Sequence, residues 1–204
     1  MSVSRIIDER LLDYPVREAF NMDNGASSYR RFLDGDESAF DEIMSELFHK
    51  VVFFVNGYVH DVQSAEDIAI DVFSELIANR NKYKFKASLK TYLFMLGRSR
   101  ALDYLRHRRV VEFVELSAAE NMMGDGETLE ELVLADERKR VINAALSKLS
   151  DDMRVAVHLI YFEDMTYEQA AKVMKKSRKQ VDNLLYRAKK ELRIILGEDG
   201  EQLL

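Results

Sequence analysis

The sequence has no cysteine, which excludes disulfides and thiolate metal sites and fits a reducing cytoplasm. It holds one proline and eight glycines in 204 residues, so few positions interrupt a helix. Its many Ala, Leu, Glu, Lys and Arg residues favour helix almost throughout. No apolar run approaches bilayer length, VVFFV at 51–55 being far too short, so no direct membrane insertion is expected. The N-terminus lacks a basic segment followed by an apolar one and does not read as a secretory signal. Phosphate-loop, dinucleotide-loop and HExxH zinc motifs are absent, and the histidines at 49, 60, 107 and 158 are scattered. The acid pairs Asp151–Asp152 and Glu66–Asp67 read as helix-start residues rather than as general acid/base pairs. No catalytic residue, metal or cofactor is expected.

What is present is a hydrophobic content of 47%, enough for a folded core in one ordinary domain or two small ones. The net charge of −6 would by itself argue against nucleic acid, but the charges are segregated. Residues Arg80 to Arg109 carry ten Lys/Arg and one acid, Asp103. Residues Val110 to Glu137 carry nine Asp/Glu and no Lys or Arg, and Lys172 to Arg193 carry nine Lys/Arg and two acids. Two basic patches flank an acidic strap.

The pattern predicts an all-α chain of two small helical domains joined by an acidic flexible linker. Residues 1–27 form an N-terminal extension of unassigned role, 28–109 the first domain, 110–137 the linker, 138–197 the second domain and 198–204 a tail. In the first domain, a helix after an Asp36 cap carries Phe40, Ile43, Leu47 and Val51 on one stripe. A second starts with Ser64 and Asp67 in capping-box spacing and buries Ile68, Val72 and Leu76. SLKTYLFMLGRSRALDYLRHRR is a third.

In the second domain, Thr166/Gln169 and Ser177/Gln180 both have capping-box spacing, with only Lys175 and Lys176 to turn between the two helices. That is helix-turn-helix length, with Ala171 and Val181 suited to the close crossing and Lys175 standing where the turn often has glycine. At about 100° per residue, Val181, Leu184, Leu185, Ala188 and Leu192 form the buried stripe. Lys179, Asn183, Tyr186 and Lys190 lie opposite, with Arg187 and Arg193 at the edges. Asn is a side chain that can pair bidentately with adenine, so this face is read as a DNA-contacting one over a merely solvated one. Asp182, on the flank, either pairs with Arg178 one turn earlier or accepts from a cytosine amine.

The segment 80–109 interleaves Tyr83, Phe85, Tyr92, Phe94 and Tyr104 with its cations, a combination suited to unstacked single-stranded bases. Individually these aromatics read as core, while the basic surface as a whole reads as nucleic-acid-binding. AEDIAIDVFSEL instead exposes Glu66, Asp67, Asp71, Ser74 and Glu75. This acidic face is either solvated or the dock of a basic partner.

GDESAF, AEDIAIDVF, YLFMLGRSRALDYLR, LSDDMRVAVHLIYFEDMTYEQAAKVM and QVDNLLYRAKKELR, in this order, resemble the bacterial sigma factors of RNA polymerase, specifically the compact extracytoplasmic-function (ECF) group of the sigma-70 family. The resemblance covers about Tyr29–Arg109 and Arg138–Leu196, which look like sigma regions 2 and 4. It implies a promoter-specificity subunit, not an enzyme, that binds core polymerase and promoter DNA. The acidic helix, with Glu66, Asp67, Asp71, Phe73 and Glu75, would dock the polymerase clamp helices. Lys84, Lys86, Lys90, Tyr92, Arg98, Ser99, Asp103 and Arg106 would read the −10 element. Ser177, Arg178, Lys179, Asp182, Asn183, Tyr186, Arg187 and Lys190 would read the −35 element. The acidic linker resembles the segment threaded through the RNA exit path, and the family implies an anti-sigma factor as a further partner. Departures from the family pattern are Ile70 for Gln, Tyr92 for Trp, Ser99 for Asn, and Asp182, Asn183 and Leu184 for Lys-Ser-Arg. The competing reading is a self-sufficient helix-turn-helix repressor or activator, which would need a dimer and a two-fold operator.

Overall fold

The computed structural model describes residues 25–116 and 137–196. Every regular element among them is helical, and they divide into two compact units, one in each stretch. The expectations for the N-terminal extension, most of the acidic strap and the C-terminal tail fall outside the described residues.

The first unit holds α1 (Ala26–Leu33), α2 (Ser38–Val59), α3 (Val62–Ala78) and α4 (Leu89–Leu116). In α2, Ile43, Leu47, Val51, Val55 and Val59 are buried. Their spacing of four keeps one stripe against α3 and α4. Burying each of these side chains is worth roughly 1.5–3 kcal/mol. Phe40, expected on that stripe, sits half-buried at its edge, with its ring edge-on to Phe73 at 6.4 Å. Asp36 stands at the helix entrance as expected, but its carboxylate accepts from the Ser38 hydroxyl at 2.6 Å and from Arg31 rather than simply capping the backbone. The Ser38 hydroxyl first, and then Arg31, hold that carboxyl below its ordinary range.

The α3 start differs from the sequence reading. Asp61, not Ser64, is the cap, accepting the Ser64 N–H at 2.8 Å. The Ser64 hydroxyl is instead paired with the Tyr104 hydroxyl at 2.8 Å, tying α3 to α4. Serine and aspartate are both good caps, so local preference did not choose between two registers three residues apart. The expected Ile68, Val72 and Leu76 are all buried. Helix α4 continues past Arg109 to Leu116, and no glycine or proline lies between to stop it. Gly97 lies where α2 and α4 cross; a Cβ there would stand 3.2 Å from the Val55 side chain.

Tyr29 fastens α1 to the far end of α3. Its fully buried ring meets Tyr83 edge-on at 5.5 Å, and its hydroxyl donates, shared, to the Leu76 and Arg80 carbonyls at 3.1 Å each. The Leu76 carbonyl belongs to the last turn of α3, where the helix ladder supplies no partner.

The second unit holds α5 (Glu137–Ser147), α6 (Asp151–Val157) with a π turn over His158–Phe162, α7 (Tyr167–Met174) and α8 (Arg178–Leu196). No local signal in the sequence marks the π turn. It is closed by the Glu163 N–H donating to the His158 carbonyl, an i→i+5 bond. The wider turn places the His158 imidazole 3.5 Å from the Glu163 carboxylate, both largely buried. Asp151 and Asp152 do occupy the first turn of α6, where the helix dipole favours them, and Asp152 also pairs with Lys176 at 3.0 Å.

Between α7 and α8 both capping boxes form as read. Thr166 and Gln169 exchange bonds of 3.2 and 2.8 Å, and Ser177 and Gln180 exchange bonds of 3.2 and 2.7 Å. Lys175 takes the left-handed conformation, φ 52° and ψ 43°, at the position where glycine is common. Ala171 and Val181 are both buried.

Two outcomes follow from these contacts. Tyr29→Phe leaves two carbonyls without their donor and should lower stability by about 1–2 kcal/mol, measured by urea unfolding of the full chain. Lys175→Gly removes a left-handed non-glycine residue and should stabilise the second unit by roughly 0.5–1 kcal/mol. Slower amide exchange in α8 reads this directly, and faster exchange would show that the lysine side chain matters more than the backbone.

Candidate nucleic-acid interface

Helix α8 separates its faces as the sequence requires. Val181, Leu185, Ala188 and Leu192 are buried, Leu184 is half-buried at the edge of their stripe, about 60° around the helix from Val181, and Lys179, Asn183, Tyr186, Arg187 and Lys190 are exposed. Tyr186 is 72% exposed, too much for a core aromatic, and stands among the cations. The result is one polar, basic face with an amide and a phenol near its centre, held by a helix whose first turn is capped. Ser177 is occupied: its hydroxyl accepts the Gln180 N–H, so it shapes the helix start.

Arg178 and Asp182 do not pair as the spacing allowed. The Arg178 Nε lies 3.3 Å from Glu168 Oε1, an ion pair between the two helices of the motif. A residue on the preceding helix competed for the guanidinium, which intrahelical spacing cannot reveal. Asp182 instead stands near two tyrosines. Burial first, then the Asp182 carboxylate, raise the Tyr167 phenol above its ordinary value. Burial, then Tyr167 and Asp182, raise Tyr161 further.

The segment 80–109 is split between interior and surface. Lys84 and Lys86 are exposed on the loop before α4. Arg98, Ser99 and Asp103 are half-buried along α4, and the exposed Arg106 pairs with Asp103. Lys90 is 7% exposed, its ammonium 6.0 Å from the Phe94 ring centre, so it is an interior residue rather than a surface cation. The aromatics follow the core reading. Phe94 is buried, and buried Tyr83 donates its hydroxyl to the Ala87 carbonyl at 2.6 Å. Tyr92 is half-buried, 5.1 Å from the Tyr83 ring. Phe85, at φ 56°, turns the loop, and the Arg30 guanidinium lies 4.9 Å from its ring centre.

On α3, Glu66, Asp67, Asp71 and Ser74 are exposed together, with Ile70 exposed among them. Two residues assigned to that face are elsewhere. Phe73 is buried, packed near Phe40 and Phe48, because it falls on the stripe of Val72 and Leu76 rather than opposite it. Glu75 turns toward the basic segment, its oxygens 2.9 Å from Lys82 Nζ and 2.6 Å from Arg100 Nη2. Sequence reading missed Lys82, Arg100 and Glu168 as partners. Each pair joins two different elements, 7 to 25 residues apart, which the periodicity of one helix does not single out.

Comparison with known proteins matches these two units separately. The family model "Sigma-70 region 2" matches residues 43–110, and "Sigma-70, region 4" matches residues 139–192. The RNA polymerase sigma-H factor of Pseudomonas aeruginosa is 27% identical over 170 residues, 79% of this chain and 88% of the relative. The ECF RNA polymerase sigma factor SigM of Bacillus subtilis is 24% identical over 157 residues, 76% of this chain and 93% of the relative. In fold, the chain is similar to the sigma factor RpoE from Bartonella quintana, solved in complex with the anti-sigma factor NepR. The TM-score is 0.59 at 24% identity, covering 78% of this chain and 98% of that one. CnrH, solved with the cytosolic domain of CnrY, gives a TM-score of 0.60 at 17% identity, covering 85% and 97%. With regions 2 and 4 in family order and relatives aligned along most of its length, the chain belongs to the sigma-70 family, in its ECF group, and is a promoter-specificity subunit of RNA polymerase.

Proposed function

We propose that the outward face of α8 reads the −35 element in the major groove. The observation that carries this is the exposed set Lys179, Asn183, Tyr186, Arg187 and Lys190 on the second helix of a doubly capped helix-turn-helix. Lysines and arginines there neutralise phosphates, and Asn183 offers a donor and an acceptor to one base edge. Arg178 reaches DNA from its pair with Glu168, and Ser177 contributes through the cap. Asp182, exposed and not paired with Arg178, is left to accept from a cytosine amine.

The −10 surface is assigned to Lys84 and Lys86 on the loop and to Tyr92, Arg98, Ser99, Asp103 and Arg106 along α4. Lys90 and Phe73 support these surfaces from beneath. No bond is made or broken by this chain. Strand opening is driven by binding, with captured bases compensating for lost stacking. Glu66, Asp67 and Asp71 form the dock for a basic surface of core polymerase, its clamp helices. The structural neighbours solved with NepR and with CnrY support an anti-sigma protein as a further partner. The chain acts in the cytoplasm; among its described residues no helix is long and apolar enough to cross a membrane.

Purified chain and core polymerase, given a randomised promoter library, should initiate at a discrete set sharing −35 and −10 elements; no initiation above core alone would overturn the reading. Within that selection, Asn183→Ala should relax one −35 position by about 1–3 kcal/mol. Asp182→Lys should shift the preference at a neighbouring position. A profile identical to wild type in both variants would remove α8 from base readout.

A further inference from the structure

The Glu75 carboxylate is the point at which the acidic and basic surfaces of the first unit meet. It projects from the last turns of α3 and holds a different cation on each oxygen, Lys82 from the loop and Arg100 from α4. Its side chain is 14% exposed, whereas those of Lys82 and Arg100 are 57% and 48% exposed. The carboxylate is therefore far less open to solvent than the two cations it binds. Tyr92 stands beside the same cluster and feels the charges of both Glu75 and Lys82.

Arg31, Asp36 and Glu42 make a comparable network, but all three are well exposed and lie off the basic segment. Glu75 instead takes two cations out of the segment that otherwise presents positive charge. Lys84 and Lys86, in the same loop, make no ion pair among the described residues. A carboxylate with two cations on its two oxygens offers them what a phosphate would offer. Both cations are held on one largely buried carboxylate, whereas the pairs Arg106–Asp103 and Arg178–Glu168 have exposed partners and can open toward DNA.

We infer that Glu75 is a positioning residue of the −10 surface: an internal stand-in for phosphate that keeps Lys82 and Arg100 from contacting DNA and leaves Lys84 and Lys86, with Arg98 and Arg106, to set its electrostatic strength. This rests on the assignment of that surface to DNA. Each phosphate contact made to a single strand steepens log K against log salt by about 0.7, so freeing two cations should steepen it by about 1.4.

The test uses the full chain and a short fluorescein-labelled oligothymidine, with anisotropy followed from about 50 to 200 mM salt. Glu75→Gln should bind more tightly at low salt, its advantage over wild type shrinking by about sevenfold across that range. Lys82→Gln with Arg100→Gln should keep the wild-type slope, because those cations are already occupied. Lys84→Gln with Lys86→Gln should flatten it by about 1.4. If the last pair flattens the slope and folded Glu75→Gln does not steepen it, the inference fails and the DNA surface stands. If the Lys84/Lys86 pair leaves the slope unchanged, the surface assignment itself fails. Should circular dichroism show Glu75→Gln unfolded, the Lys82/Arg100 pair decides: flattening by about 1.4 would mean these cations contact DNA in the wild type and would overturn the inference.

Discussion

A helix cannot satisfy the backbone groups of its own first and last turns, and a chain built almost wholly of helices meets that problem at every junction. Here the solutions are also the ties that give the units their shape. The Tyr29 hydroxyl serves carbonyls at the end of α3 and, in doing so, holds α1 against the aromatic cluster beneath the basic loop. Asp61 caps α3, which frees the Ser64 hydroxyl to reach Tyr104 on α4. In the second unit, reciprocal bonds at Thr166/Gln169 and Ser177/Gln180 start two helices whose separation is a short, left-handed turn at Lys175. The outward direction of Asn183 and Tyr186 depends on where that second cap begins α8. A shift of one residue would rotate them by about 100°.

Charge then acts on this frame at short range. The chain is acidic overall, yet the faces that meet solvent on α8 and on the loop before α4 are basic. Several acids close to those faces are engaged locally: Glu168 on Arg178, Asp103 on Arg106, Glu75 on Lys82 and Arg100, while Asp182 is left exposed. On α3, Glu66, Asp67 and Asp71 stay exposed together, a surface of opposite character. Screening beyond about 8–10 Å makes these local arrangements, rather than the total charge, what a binding partner meets. Exposed ion pairs of this kind are worth only about 0–1 kcal/mol each to the fold, so their main consequence is which cations remain available.

Much of the design was legible because it is local. The all-helical class, the buried stripes of α2, α3 and α8, both capping boxes and the left-handed site at Lys175 follow from spacings of three to four residues and from the side chains that suit each place. Family resemblance located regions 2 and 4, which the family models matched over 43–110 and 139–192. Phe73 was misplaced although its own helix could have settled it, since it adjoins Val72 on the buried side.

By itself the sequence determined the periodic faces, the helix starts at Thr166 and Ser177, and the segregation of charge into blocks. Tertiary structure decided which of the ionic and hydroxyl groups were already taken. Glu75 was counted with an acidic surface until α4 and the loop brought Arg100 and Lys82 to it, and Arg178 was counted with Asp182 until α7 offered Glu168. Lys90 reads in sequence as a surface cation, but its ammonium lies near the Phe94 ring in the interior. The physical reason is common to all three. Helical periodicity fixes the direction in which a side chain leaves its own helix, but a charged group settles with whichever partner the packing of other elements brings within a few ångströms.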